Sequence, residues 1–273
     1  MFQISENKVS EEQILLRSGS NANLYGILYH ARNNEKGALV ICPPDGDERT
    51  WSHRTLVNLS RLLASHGYTV LRFDYMGQGE SEGAYEESTL TSRLKDTGNA
   101  VEFLLTQITK SRVGLLGLRL GGTLAALTAV RHPSVEYLVL WEPVVDLSAY
   151  LYNLLRVNIS FQMVMYKTVL KKREQLQEDI LSGGKVSING FYLTKGFFQE
   201  AMEVKLNGLF QGFHGKHLTV LLPGSKPPVE DNKNILRLEF PVFWKEPKVY
   251  YPRPKTLMEE TLKWISENGI SSK

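Results

Sequence analysis

Short apolar runs and stretches of helical periodicity alternate along most of the chain. Mostly apolar segments predict strands at residues 38–42, 69–75, 113–118, 135–141, 218–222 and 236–244. The nearly unbroken apolar runs at 113–118 and 135–141 are typical of a parallel sheet that is covered on both faces. Apolar positions at helical spacing predict helices at residues 53–65, 89–108, 122–131 and 256–265. Residues 14–17 and 24–30 alternate between apolar and polar and predict an antiparallel pair. The whole pattern predicts an α/β fold, a mostly parallel twisted sheet with helices on both faces.

The alternation stops at residues 147–215. Residues 147–170 are rich in Leu, Tyr, Val and Met and predict two helices, and an Asn-Gly turn within residues 186–193 predicts a hairpin. We expect a helical cap here, over a core formed by residues 1–146 and 216–273. Ligands bind open α/β sheets at the carboxyl ends of the strands, so the site is expected under the cap. The apolar cap residues favour packing on the sheet, with membrane binding or an acyl tunnel as alternatives.

Composition excludes several classes of function. The net charge of +3 over 273 residues does not indicate nucleic-acid binding. The single cysteine, Cys42, excludes an internal disulfide and is expected to be a buried hydrophobic residue in a cytoplasmic protein. Residues 1–12 carry no apolar leader, and no apolar run is long enough for a transmembrane helix. No cofactor is expected, and His214 and His217 are too few ligands to predict a metal site.

The segment Gly117-Leu118-Arg119-Leu120-Gly121 joins a predicted strand to a predicted helix of small residues. Strand, tight glycine-flanked turn and helix form the nucleophile elbow of the α/β-hydrolase fold, and we predict that fold. The central residue of such an elbow is normally the nucleophile. Here it is an arginine, whose guanidinium cannot be deprotonated to attack a carbonyl.

The other two members of a Ser-His-Asp triad are missing as well. The acid is expected in a Gly-x-x-Asp turn after residues 218–222, where the sequence instead places Pro227. The histidine is expected before the last helix, at residues 245–252, and no histidine follows His217. The sequence therefore predicts that the usual acyl-enzyme route is absent.

Arg119 needs an anion, because a buried cation without a partner at a helix N-terminus costs several kcal/mol. An internal partner is favoured: Glu48, in the loop that normally completes the oxyanion hole, or Glu142, at the end of the neighbouring strand. The alternative is a ligand carboxylate, phosphate or phosphopantetheine group, held jointly with the amides that begin at Leu120. The two are compatible if the pair opens for a ligand.

Other candidate residues have simpler explanations. The backbone of Asp45 and Gly46 could supply an oxyanion-hole N–H. His53, predicted at the start of a helix facing the site, could replace the lost base but favours a surface or capping role. Asp146 follows a strand and is expected to cap the next helix rather than to serve as a displaced acid. Ser81 is expected to be a turn residue.

The chain resembles the α/β-hydrolases, notably the serine-aminopeptidase-like hydrolases, over nearly its whole length. It is more closely similar to the group called exosortase A system-associated hydrolase type 2. Four segments carry that resemblance: Pro43-Pro44 with Asp47-Glu48, the Gly-Leu-Arg-Leu-Gly elbow, Leu140-Trp141-Glu142-Pro143-Val144 with Glu in place of the group's Gln, and Phe243-Trp244. The resemblance implies bacterial gene clusters for exopolysaccharide and protein sorting, beside acyl-activating and acyl-carrier proteins. It implies no particular reaction.

Three functions remain open on the sequence. The first is a degenerate hydrolase that binds an anionic, acyl-bearing ligand or an acyl-carrier or CoA-type group, with Arg119 as anchor and Glu48 and Glu142 as gating partners. The second is a hydrolase or acyltransferase acting on esters or thioesters without a triad. The third is a scaffold subunit with a vestigial cleft. An open polar cleft favours the first two, whereas a cleft filled by cap aromatic residues, with Arg119 tied to a glutamate, favours the third.

Overall fold

The computed structural model describes residues 9–19, 21–109, 112–204, 206, 212–227, 234–245 and 254–269. Eight strands form one sheet in the order β1-β2-β4-β3-β5-β6-β9-β10. Their bounds are β1 Glu11–Arg17, β2 Asn23–Tyr29, β3 Gly37–Cys42, β4 Tyr68–Phe73, β5 Val113–Leu118, β6 Val135–Trp141, β9 Lys216–Leu221 and β10 Ile235–Arg237. β2 pairs antiparallel with β1 and β4, and the remaining pairs are parallel. The predicted mostly parallel sheet and its leading antiparallel pair are confirmed.

Seven helices accompany the strands in the described part of the chain: α1 Gly46–Ser65, α2 Leu90–Gln107, α3 Leu120–Ala129, α4 Leu147–Tyr166, α5 Arg173–Leu181, α6 Lys195–Glu203 and α7 Lys255–Asn268. Alternate strand residues enter opposite hydrophobic clusters: Leu39 belongs to the cluster with Leu59 of α1 and Leu257 of α7, and Val40 to the cluster with Leu104 of α2 and Leu124 of α3. Both faces of the sheet are covered by helices, as continuously apolar strands require.

An inserted segment, α4 to α6, separates β6 from β9. It contains a hairpin of β7 Val186–Ile188 and β8 Phe191–Leu193, which turns at Asn189-Gly190 as predicted. α6 packs against α2, and β8 packs against a short helical turn at Tyr85–Glu87. No helix among the described residues is long and apolar enough to cross a bilayer.

Three predicted elements need correction. The segment 147–170, predicted as two helices, contains one helix, α4, because no breaker interrupts it before its left-handed end at Lys167, and residues 167–170 lie outside the helix. α1 begins at Gly46 rather than at residue 53, since its first turns are polar and leave no apolar periodicity. β10 ends at Arg237, and residues 238–242 form no regular element, because the run from 236 contains Pro241, which cannot donate to a ladder. The stretch after Lys245 in which a histidine was sought, residues 246–253, lies outside the described residues.

Candidate functional site at the strand-to-helix elbow

The turn between β5 and α3 has the geometry of a nucleophile elbow. Arg119 adopts φ 54° and ψ −123°, a region that L-residues rarely occupy. Its N–H donates to the Trp141 carbonyl, and its own carbonyl accepts from Gly122 N–H. A side chain at Gly121 would overlap the carbonyl oxygens of Cys42 and Pro43. The glycines therefore allow α3 to press against the strand ends, and the elbow presents a guanidinium where hydrolases present a nucleophile.

The Arg119 side chain is anchored inside the protein. Its Nε donates to Glu48 Oε1 over 3.1 Å, and its Nη1 donates to the backbone carbonyl of Glu142 over 3.2 Å. The guanidinium carbon lies 5.9 Å from the centre of the Trp244 ring. Burial alone would lower the pKa of Arg119, but the charge of Glu48 and its hydrogen bond outweigh burial and raise that pKa. The internal pair with Glu48 is thus present.

The predicted alternative partner, the carboxylate of Glu142, has a different role. It accepts from the Leu222 N–H and, over 3.0 Å, from the Ser225 hydroxyl, so it binds the exit of β9. Glu142 has φ 46°, and only its main-chain carbonyl meets Arg119. The prediction that its side chain gates Arg119 is therefore corrected. The sequence places Glu142 at the end of β6, but it does not determine in which direction the Glu142 side chain points.

Glu48 lies in the first turn of α1 and is only half satisfied. The side chains of Arg119 and Glu48 are 22% and 12% exposed. Their hydrogen bond is single, and Glu48 Oε2 is buried with no hydrogen-bond partner among the residues that the structure describes. Burial raises the pKa of Glu48, while the charge of Arg119 opposes that rise. Arginine–carboxylate pairs are frequently bidentate, with two parallel hydrogen bonds. The Arg119–Glu48 pair has one, so Glu48 Oε2 and part of the guanidinium remain available for further hydrogen bonds.

The carboxylate of Asp45 faces away from Arg119. It lies 2.7 Å from Arg93 Nη1, accepts from Gln78 Nε2 over 2.7 Å and from the Tyr85 hydroxyl over 3.1 Å. Arg93 is fully buried on α2, and its guanidinium carbon lies 4.6 Å from the centre of the Phe197 ring on α6. The ion pair joins the loop before α1 to α2, and the contact of Arg93 with Phe197 extends this link to the inserted segment. Because the Asp45 carboxylate is already engaged, only the backbone groups of Asp45 and Gly46 remain available to a ligand.

Sequence reasoning missed Arg93, although a signal was available. Arg93 lies three residues after Leu90 and eleven before Leu104, both of which are buried on α2. A cation in register with the apolar face of a helix predicts a buried ion pair, because an uncompensated charge there would be too costly.

A small cavity separates the loop before α1 from the inserted segment. Its volume is about 30 Å³, which fits one or two water molecules. Its walls include Tyr85, Tyr150, Leu154, Phe191 and Phe197. The pKa of Tyr150 is raised well above its ordinary value, first by burial and then by the nearby charge of Glu48. As it stands, the cleft is closed by aromatic side chains.

The remaining candidates lie apart from this centre. His53 lies largely exposed in the second turn of α1, not at the helix start, and partial burial of its ring together with the charges of Arg72 and Arg49 lowers its pKa. Asp146 caps α4 through the Ala149 N–H, and Ser81 donates to the Asp74 carbonyl, as predicted. Cys42 is buried, Leu120 is buried as the first residue of α3, and Pro227 follows β9 near Ser225. Within the described residues no His, Cys, Asp and Glu cluster could hold a metal ion.

Comparison with known proteins supports the hydrolase superfamily. The family model of Hydrolase_4, serine aminopeptidase, S33, matches residues 36–193, which include the elbow and most of the inserted segment. One curated relative, the uncharacterized protein RP471 of Rickettsia prowazekii (strain Madrid E), is 28% identical over 110 residues. That match covers 40% of this chain and 45% of the relative, so the chain spans less than half the length of that protein.

Solved structures establish the fold. Est1E from Butyrivibrio proteoclasticus, in a structure with bound ferulic acid, is 16% identical with a TM-score of 0.69, over 93% of this chain and 98% of that chain. The α/β hydrolase GrgF from Penicillium sp. sh18 is 14% identical with a TM-score of 0.66, over 95% and 99% of the two chains. The hypothetical protein PA2218 from Pseudomonas aeruginosa is 14% identical with a TM-score of 0.66, over 96% and 95%. The predicted α/β-hydrolase fold is confirmed.

Proposed function

Because this chain belongs to the serine aminopeptidase S33 family, Hydrolase_4, we propose that it retains the family's site but uses the elbow to bind an anion instead of forming an acyl-enzyme. Arg119 supplies no electron pair for attack on a carbonyl, since a guanidinium stays protonated in proteins. It does supply a fixed cation beside the N-terminus of α3, which is the chemistry of carboxylate and phosphate recognition.

The half-satisfied pair of Arg119 and Glu48 carries this proposal. Glu48 holds Arg119 through one hydrogen bond and keeps its second oxygen buried and unpartnered. A ligand carboxylate or phosphate could use both edges of the guanidinium as well as the α3 amides. In the ligand-free protein Glu48 therefore fills the place of the ligand anion. Binding requires Glu48 to leave or to take up a proton, and its raised pKa makes protonation easier.

The surroundings favour a ligand with an apolar tail. Tyr150, Leu154, Phe191 and Phe197 line the cavity next to the loop before α1. We propose that residues 147–215 act as the cap of this cleft and move outward for an acyl-bearing ligand, because the present volume of about 30 Å³ is too small for one. A free acyl carboxylate and the phosphate end of an acyl-carrier or CoA-type group share the anionic chemistry that Arg119 would recognise.

A combined assay tests the proposal. The wild type, Arg119→Ala and Arg119→Ser are incubated with short and long acyl esters and acyl-thioesters, and hydrolysis and acyl adducts are followed by absorbance and intact mass. We expect neither turnover nor adduct, and we expect decanoate to raise the melting temperature of the wild type but not that of Arg119→Ala. Turnover that disappears in Arg119→Ala would contradict the proposal. A folded protein with neither turnover nor a ligand-induced shift would indicate the scaffold function.

A second candidate is a hydrolase without a triad, and Glu48 favours it. Its unpartnered Oε2 and raised pKa would suit a general base that activates water beside an Arg119-bound carbonyl. The same assay with Glu48→Gln separates the two functions. Turnover by the wild type that is lost in Glu48→Gln, with decanoate binding retained, would identify this mechanism.

We also propose membership of the exosortase A system-associated type 2 group. The segments that carry the resemblance meet at one point of the fold: Glu48 comes from the Pro-Pro loop, Arg119 from the elbow, and the Glu142 carbonyl from the Trp-Glu-Pro segment. Trp244 of the Phe-Trp pair lies beside the guanidinium. Their convergence on Arg119 supports a common role for these segments. Such membership would place the chain in exopolysaccharide and protein-sorting systems.

A further inference from the structure

The far end of α4 and the turn that follows it form an exposed apolar tip. Residues 163–175 are all exposed, a run of thirteen positions, whereas the first half of α4 packs on the sheet side with Leu151 and Leu155 buried. The exposed apolar side chains of this tip are Phe161, Met163, Val164, Met165, Tyr166, Val169 and Leu170. Val164 is 66% and Leu170 is 59% exposed. Contiguous apolar surface of this kind marks an interaction site.

The tip is a built feature rather than a frayed helix end. The buried side chain of Gln162 accepts from the N–H groups of Leu170 and Lys171 at 2.7 and 2.8 Å. Its amide donates to the Lys171 carbonyl and, over 2.7 Å, to Asn158 Oδ1. Four hydrogen bonds from one buried amide thus hold the turn closed. Val169 and Leu170 are fixed in outward positions.

Cations outnumber acidic residues around this tip, where residues 163–175 include one acidic residue, Glu174. No acidic residue occurs between Asp146 and Glu174, and five cations do: Arg156, Lys167, Lys171, Lys172 and Arg173. Lys171 pairs with Asp179 and Arg173 with Glu174, at 2.6 and 2.9 Å. Lys167 and Lys172 form no ion pair within the described part of the chain and are exposed beside the apolar tip. The tip is therefore apolar at its end and basic around its base.

We propose that this tip binds an anionic lipid surface. Flexible aliphatic and aromatic side chains on a protruding end can enter the headgroup region, while neighbouring lysines contact lipid phosphates. A second copy of this chain fits the tip less well, because a symmetric contact would place lysines against lysines. A protein partner would need a groove that accepts the convex surface of this tip. This inference concerns a face other than the Arg119 site and does not depend on the proposed function.

Vesicle flotation tests the proposal. The full chain is mixed with vesicles of phosphatidylcholine alone or of equal parts phosphatidylcholine and phosphatidylglycerol. The wild type is expected to float with the anionic vesicles and to bind the neutral vesicles about tenfold or more weakly, because each lysine near the surface contributes to anionic binding. Val164→Glu/Leu170→Glu and Lys167→Glu/Lys172→Glu should each lose most of the binding. Leu15→Glu, which changes an equally exposed leucine on β1, should bind like the wild type.

All substitutions are at exposed positions, so a thermal melt checks that each variant is folded. Failure of the folded wild type to float with anionic vesicles would overturn the proposal, as would binding that survives Val164→Glu/Leu170→Glu. Self-association in sedimentation, abolished by the same pair and unaccompanied by vesicle binding, would assign the tip to a second copy and would also overturn it.

Discussion

At the scale of the residue, Arg119 carries two energetic costs, one in its backbone conformation and one in the burial of its charge. Its backbone lies at positive φ, and its cation is largely removed from water beside the positive end of α3. In a working hydrolase the strained turn presents a nucleophile. Here the same turn presents a guanidinium to Glu48. The strained backbone at Arg119 therefore serves to position the guanidinium charge.

Backbone strain at position 119 can be measured with two small substitutions. Arg119→Ala and Arg119→Gly both remove the guanidinium, but only glycine adopts φ 54° and ψ −123° without a steric penalty. We expect Arg119→Gly to be more stable than Arg119→Ala by about 1 kcal/mol or more in urea unfolding. Equal stabilities would show that the turn relaxes once the side chain is gone.

The pH dependence of stability reports on Glu48. Burial raises the pKa of Glu48 above its ordinary value of 4.5, so the folded protein retains this proton at pH values at which the unfolded chain has released it. Its contribution to stability is therefore greatest at low pH and decreases as the pH rises through the folded pKa. Glu48→Gln has no such titration.

We expect the free energy of unfolding of the wild type, minus that of Glu48→Gln, to fall as the pH rises above the ordinary glutamate pKa of 4.5 and through the raised pKa of folded Glu48. Urea unfolding at several pH values measures it. The charges facing Glu48 are those of Arg119, Asp47 and Asp45, and the last two keep their carboxyl groups in both proteins. A difference that grows with pH would mean that Arg119 outweighs burial and lowers the pKa of Glu48.

At the scale of the element, the buried strands and the elbow were the most predictable parts. β5 and β6 match their predicted bounds, because strands covered on both faces must be continuously apolar. The first two turns of α1 were missed, since they carry Asp47, Glu48 and Arg49, whose partners lie elsewhere in the chain. The direction of the Glu142 side chain was not predictable either, because it depends on hydrogen bonds to the exit of β9.

The elbow requires α3 to lie close to the end of β3. In Gly121→Ala the new Cβ would overlap the carbonyl oxygens of Cys42 and Pro43, which belong to buried backbone. We expect a loss of more than about 3 kcal/mol in the free energy of unfolding. Gly196→Ala in α6 is the control, since its Cβ meets only the Thr89 methyl group, at 3.2 Å. It should stay within about 1 kcal/mol of the wild type. A mild effect of Gly121→Ala would refute this packing.

At the scale of the whole molecule, charges connect the core to the inserted segment. The Asp45–Arg93 pair and the contact of Arg93 with Phe197 hold α6 near the loop before α1. Tyr150 of α4 closes the cleft close to Glu48. The sequence located these elements but not their contacts, because such contacts join residues far apart in the chain. The space of about 30 Å³ between these elements would have to widen for the acyl-bearing ligand proposed above.

The proposed function places the Glu48 carboxylate where a ligand anion would bind Arg119. Isothermal titration of decanoate and decyl phosphate into the wild type, Glu48→Gln and Arg119→Ala tests this, with decanol as the neutral control. We predict that Glu48→Gln binds both anions about tenfold or more tightly than the wild type, because the competing carboxylate is gone. Arg119→Ala should bind neither. Equal affinities of Glu48→Gln and the wild type, or unchanged binding by Arg119→Ala, would contradict the account.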